Sequence, residues 1–179
     1  MKKSLFIILA AGLLVSCSNT APESNAISKD STAVAEATPI VYPYTAAYSS
    51  DFSIGDPKLV KVVLDMYKAV EENRMDDLGQ YYADSVYRHN FAQKEIKLTR
   101  EEMVELAKSF RNQFAEFSET PIAFTALHSN DKNEDWVLTW IKERVTYPNG
   151  KKDSTTYQEN WRFRDGKIYM VDSYAKYAK

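Results

Sequence analysis

Cysteine occurs once in this chain, at Cys17, so no disulfide can form within it and no catalytic thiol is left for the rest. Histidine occurs twice, at His89 and His128, which excludes a three-histidine zinc centre. A site of two histidines and a carboxylate has no spacing to support it. The few glycines, among them Gly55, Gly79, Gly150 and Gly166, form no phosphate-cradling loop and no Gly-x-Ser-x-Gly elbow, which speaks against nucleotide use and serine hydrolysis. An excess of basic charge is also missing: 23 Lys and Arg face 25 Asp and Glu, a net charge of -2, so no nucleic-acid partner is expected. The acidic stretch Asn130 to Asp135 lacks the ligand spacing and glycine of a calcium loop and reads as a hairpin turn, with His128 exposed beside it. No cofactor and no metal are expected.

A long apolar run is absent as well. Leu5 to Val15 follows Lys2 and Lys3 but falls short of the ~20 residues a spanning helix needs, and so reads as an export signal. Its end, Leu14-Val15-Ser16-Cys17, resembles a bacterial lipobox. The resemblance implies diacylglycerol on the thiol of Cys17 and cleavage before it, giving a signal peptide over 1–16 and a palmitate-type lipid anchor. Acyl chains contribute about 0.8 kcal/mol per buried methylene, and more than one chain makes anchoring stable. No aspartate follows Cys17, so the protein is expected at the outer membrane, facing the periplasm or the cell surface. An ordinary secretory signal with an incidental cysteine is the alternative.

What the chain does hold is a polar tether followed by one small domain. Residues 17–50 are rich in Ser, Thr, Ala, Pro and Glu without periodicity, and bury too little apolar surface to fold alone. Val41, Tyr42 and Tyr44 are candidates for docking on the domain edge. The domain is expected over 51–179. Asp56 caps and Pro57 opens a helix whose Leu59, Val60, Val63, Met66, Tyr67 and Val70 share one face. Asp76 to Tyr82 predicts a second short helix, and Ser85 to Phe91 a strand. Thr99 and Glu102 form a capping box for a third helix with Met103, Leu106, Phe110, Phe114 and Phe117 on its apolar side.

Beyond Pro121 the pattern turns to strands: Ile122 to His128, Trp136 to Tyr147, Asp153 to Phe163 and Lys167 to Tyr174. Pro148-Asn149-Gly150 and Asp165-Gly166 mark two of the turns. The fold class is α+β: three N-terminal helices packed on a curved, mainly antiparallel sheet. In the second of these strands Val137, Thr139 and Ile141 share one face, while Trp136, Leu138 and Trp140 share the other. An apolar second face calls for a cover. A homodimer through the sheet is expected, with the tether or the C-terminal tail as the alternative cover.

The order of these elements over Asp56 to Tyr174 resembles the cone-shaped nuclear-transport-factor-2-like superfamily and its SnoaL-like branch. The resemblance rests on Met66-Tyr67-Lys68-Ala69-Val70, Tyr82-Ala83-Asp84-Ser85-Val86 and Trp161-Arg162-Phe163-Arg164-Asp165-Gly166-Lys167-Ile168. It implies a pocket between helices and sheet, which some members use for ketosteroid isomerase or polyketide cyclase chemistry. In the isomerase a first-helix tyrosine and a late-strand protonated acid bind the enolate, places matched here by Tyr67 and Glu159. The place of its aspartate base falls at Asn90, an amide that cannot abstract a proton. A shift of one residue brings in His89 instead, a base suited to neutral pH.

Tyr67, His89 and Glu159 are therefore the candidate catalytic set, and Tyr67, Tyr87, His89, Tyr157, Glu159 and Trp161 the candidate lining of a binding pocket. The bland counterparts are a core tyrosine, a Glu159–Arg144 cross-strand pair and an outward His89. Three functions stay open: non-catalytic binding of a small apolar ligand or a dimeric interaction module; an isomerase, cyclase or dehydratase acting on a small carbonyl compound; and a module whose cavity is filled by its own side chains.

Overall fold

The structure is a computed structural model that describes residues 40–90 and 93–177. Cys17, the expected export signal, most of the expected tether and Phe91 lie outside the described residues. Among those described, no helix is long and apolar enough to cross a membrane.

Helix α1, Pro57–Glu71, starts where the sequence demands: the Asp56 carboxylate accepts a 2.8 Å hydrogen bond from the Lys58 amide, and Pro57 takes the first turn. It ends before Asn73, which adopts a left-handed φ of 58°. Val60, Val63, Met66, Tyr67 and Ala69 form its buried face. The predicted second helix is a 3-10 helix over Met75–Gln80 that buries Met75 and Leu78.

Two strands follow, and the second was not anticipated. β2, Tyr82–Asn90, pairs antiparallel with β3, Gln93–Thr99, at one edge of the sheet. Thr99 then opens helix α2, Arg100–Arg111, with both bonds of the capping box in place. This helix therefore comes after two strands, which corrects the expectation of three helices ahead of the sheet. It also ends sooner than expected, leaving Phe114 in the connection and Phe117 on the next strand. Lys108 ties α2 to Asp76 at 3.0 Å, and Arg111 Nε donates to the Val70 carbonyl at the end of α1.

The remainder is an antiparallel meander: β4 Glu116–Ser129, β5 Glu134–Thr146, β6 Lys152–Arg164 and β7 Lys167–Tyr177. A three-residue strand over Phe52–Ile54, here β1, adds to the outer edge of β4. β4 begins six residues before the predicted Ile122 and carries Pro121 inside it, where the register with β5 shifts between Pro121 and Ala123. Asp165 and Gly166 both take positive φ, the requirement of the tight turn joining β6 to β7. Gly55 is needed for a different reason: a Cβ there would lie 2.8 Å from the backbone of Leu127.

The seven strands make one curved sheet in the order β1-β4-β5-β6-β7-β2-β3, antiparallel except for the β2–β7 pair. As the alternation of β5 predicts, Val137, Thr139 and Ile141 are buried against the helices and join a core with Val63, Leu78, Phe163, Ile168 and Val171. The opposite face is partly covered by the chain itself. Trp136 packs edge-on against Phe52 at 5.9 Å and tilted against Tyr48 at 6.0 Å, with the Arg162 guanidinium 4.1 Å above its ring. Tyr48 and Ser49, assigned above to the tether, hydrogen-bond Glu134 and Asp131 and so belong to the folded unit, which begins at Pro43. Val41, Tyr42 and Tyr44 are exposed.

Candidate functional site

The inner face of the sheet, α1 and α2 enclose a cavity of about 170 Å³. It adjoins a second hollow of about 280 Å³ under α2, with Arg88, Ala107, Phe110, Glu159, Trp161 and Ser173 lining both. A wider trough at the far ends of β4, β5 and β6 holds no buried titratable group of the kind described next. The inner cavity is where the buried titratable groups gather.

At its centre is the hydroxyl of Tyr67, aimed from α1 across to the sheet. It donates to Glu159 Oε2 at 2.5 Å, lies 2.8 Å from Thr139 Oγ1 and accepts from the Trp161 indole N–H at 3.0 Å. Ser173 donates to the other oxygen of Glu159 at 2.6 Å. Every member of the cluster on the sheet comes from an alternating, inward position of β5, β6 or β7, the reason these strands meet α1 in one hydrogen-bonded group. Burial pushes Glu159 above the ordinary carboxylate range, while the bonds from Ser173 and Tyr67 and the charge of Arg88 pull it back. Burial, then the charge of Glu159 and its hydrogen bond, hold the Tyr67 phenol well above its usual value. Tyr67 is therefore a donor and not a base.

Two further carboxyl groups face this cavity, and reading the sequence missed both. Glu119 on β4 and Glu143 on β5 stand directly opposite each other in the ladder. Glu119 Oε2 is shielded from solvent and has no hydrogen-bond partner. Burial and then the charges of Glu159, Glu143 and Glu71 hold Glu119 well above 4.5, its ordinary value. Burial and then Glu159 raise Glu143 to about 7. The signal was present: Glu143 continues the buried alternation Val137, Thr139, Ile141, and Glu119 lies two residues beyond Phe117.

Tyr67, Tyr157, Glu159 and Trp161 thus share one cavity. Tyr87 and His89 do not. Arg88 points inward, so its neighbours on β2 point to the other face. Lys97 lies 5.6 Å from the centre of the Tyr87 ring. His89 sits between Asp172 at 2.6 Å and Glu95 at 2.9 Å. The expected catalytic set is accordingly split, and a histidine base acting with Tyr67 and Glu159 does not fit this geometry. The Glu159–Arg144 pair does not form either: Glu159 stands opposite Thr139, and Arg144 donates to Thr120. His128 is bonded to Asp135 at 2.7 Å on the β4–β5 hairpin. Among the described residues, no group of three or more acids, histidines or cysteines is arranged to hold a metal ion.

Comparison with solved structures agrees with this architecture. A Mycobacterium tuberculosis LEH-like epoxide hydrolase shares 13% identity at a TM-score of 0.55, over 66% of this chain and 83% of that one. AusH from Aspergillus nidulans gives 13% and 0.56, over 71% and 89%. The epoxide hydrolase/cyclase-like enzyme SalBIII, from pyran ring formation in salinomycin, gives 14% and 0.56, over 66% and 91%. At such identities the likeness is one of fold. No curated protein matches the chain. The family profile of the SnoaL-like domain matches residues 63–171, from the middle of α1 to the middle of β7, and the chain belongs to that family.

Proposed function

We propose that the domain binds a small, largely apolar ligand in the cavity between α1, α2 and the sheet, without transforming it. The observation that carries this reading is a wall of aromatic and aliphatic side chains broken by a few converging polar groups, Tyr67, Glu119, Glu143, Glu159 and Arg88. Ala107 lines both hollows, and replacing it by tryptophan fills the space a ligand needs. Small aromatic alcohols and amines are expected to change the Trp161 signal of the wild type and to leave Ala107→Trp unaffected. Equal responses in both proteins would remove the cavity from consideration.

A second reading is proton transfer on a small carbonyl compound. It is favoured by Glu143, poised near neutrality at about 7, facing the Tyr67 donor across the same space. With His89 on the other face, the base in this reading is a carboxylate. Ketone α-proton exchange faster with wild type than with Ala107→Trp would favour it over simple binding.

The domain is further read as tethered to the bacterial envelope by acyl chains on Cys17, at the outer membrane, and paired with a second copy through the half of the outer face that Tyr48 and Phe52 leave open. Trp140 and Tyr174 are each 37% exposed there. In cells given an alkyne fatty acid, the wild type is expected to take up label and Cys17→Ser to lose it and leave the membrane fraction. The released protein should sediment as a dimer, and as a monomer when Trp140→Glu is added. A labelled Cys17→Ser protein would end the lipid reading, and a monomer without Trp140→Glu would end the dimer reading.

A further inference from the structure

The proposed ligand site has an electrostatic imbalance that identifies a ligand class. Three carboxyl groups face one small cavity, and the only basic side chain lining it among the described residues is Arg88. Arg88 acts on Glu159, which also has Tyr67 and Ser173 as donors. The opposed pair Glu119 and Glu143 has no such compensation. No ion pair reaches either residue among those described, and one oxygen of Glu119 is sealed off without any donor. Like-charged side chains directly opposite in a ladder repel, and a shielded carboxyl with no donor is costly.

Among the other ionisable groups lining the space around this pair, the cation is Arg88, whose charge acts on Glu159. From α1 come Tyr67 and Glu71, from β2 Tyr82 and Arg88, and from β6 Tyr157 and Glu159; α2 contributes the uncharged Ala107 and Phe110. Arg111, at the end of α2, lies 5.6 Å from the centre of the Phe117 ring with its donors on the Val70 and Phe114 carbonyls. Among the described residues, these carboxyl groups form no cluster arranged to hold a metal ion. Phe117, two residues from Glu119 on the same face of β4, and Phe110 on α2, whose rings meet edge-on with centres 5.9 Å apart, line the same cavity as the carboxyl pair. Aromatic faces beside carboxylates are the surroundings that desolvated organic cations prefer.

We propose that Glu119 and Glu143 receive the ammonium head of a small organic amine whose apolar body rests on Phe110 and Phe117. The inference rests on the cavity being a ligand site, as proposed above. The ammonium donates hydrogen bonds to both carboxyl groups. Its charge favours their ionised form, so a carboxyl that held a proton in the free protein releases it to solvent as the amine enters, and the amine keeps its own. Affinity for the amine should then rise with pH, by about tenfold per unit while one carboxyl titrates, and level off once that group is ionised.

The test is calorimetric titration of the wild-type protein with benzylamine and, separately, with benzyl alcohol, in buffers of different ionisation enthalpy from pH 5.5 to about 8. Expected are binding of benzylamine at least about tenfold tighter than benzyl alcohol at the upper pH, proton release on binding, and loss of both features in Glu143→Gln. Glu119→Gln serves as the second variant, each checked for folding by circular dichroism. Equal affinities of the two compounds, or benzylamine binding that is independent of pH, would overturn the amine assignment while leaving the cavity a ligand site. Failure of both compounds to bind would overturn the cavity reading itself, and the amine with it.

Discussion

The stability of the folded domain should fall as the pH rises from about 4.5 to about 8, against the usual behaviour of carboxylates held by partners. The cause is Glu143, raised by burial and by Glu159 from 4.5 to about 7. Below 4.5 both folded and unfolded chains carry its proton, and the native state loses nothing. Between 4.5 and about 7 the unfolded chain ionises freely while the folded one holds on to its proton, so unfolding becomes progressively easier. Above that window the difference is constant. Allowing for partial solvent screening, the loss from this one group is about 2 kcal/mol. Glu119 and Glu159 act with the same sign, since burial raises both. Asp131, held low by Ser49 and Ser129, changes charge at lower pH and leaves this window alone. Urea unfolding at intervals across the range measures the effect, and Glu143→Gln should flatten the curve and gain stability at its upper end. A profile that is level or rises with pH would refute the assignment of buried, proton-holding carboxyls.

Tyr67→Phe is expected to destabilise the domain by about 2–3 kcal/mol although it removes a single oxygen. That oxygen serves Thr139, Glu159 and Trp161 at once. Without it the Trp161 indole N–H has lost its acceptor and Glu159 one of its two side-chain donors, in a site where water does not readily replace them. Loss of the phenol donor should also drive Glu159 further up, which steepens the decline of stability with pH. Chemical denaturation of Tyr67→Phe and of Tyr67→Phe/Glu159→Leu separates the causes. If the stranded carboxyl carries the cost, the double variant recovers part of it. A single variant within about 0.5 kcal/mol of wild type would mean that the cluster contributes little to stability.

Much of this architecture is local chemistry and could be read from the chain. Asp56-Pro57 and the Thr99–Glu102 box start both α-helices where expected, because a cap is made by residues a few positions apart. The Asp165-Gly166 turn and the alternation of β5 were legible for the same reason. β1 and β3 were not: each is an edge strand whose existence depends on a neighbour distant in sequence for β1, and on the adjoining β2 hairpin for β3. The site divides similarly. Tyr67, Tyr157, Glu159 and Trp161 carried aromatic or buried-acid character that marked them out. Tyr87 and His89 were placed on the wrong side because one residue of register in β2 decides which face they take. Glu119 and Glu143 looked like surface charge until the ladder set them opposite each other beneath the helices.

β7 is the last of the seven strands along the chain, yet it lies between β6 and β2 in the middle of the sheet. Its pairing with β6 closes a two-residue turn, whereas its pairing with β2 joins Arg88 to Val171, far apart in sequence. Closing so long a loop costs entropy that only the completed contact repays, so pairs of this kind slow folding. A ribosome delivering the chain from its N-terminus would release α1, β2, β3 and α2 long before the strand that joins them to the meander. The floor of the cavity at Ser173 belongs to that same late strand. An emerging chain therefore exposes the inner carboxyl groups to water until its final strand is threaded into place, and a truncation inside β7 would leave two separate half-sheets in place of a shortened one.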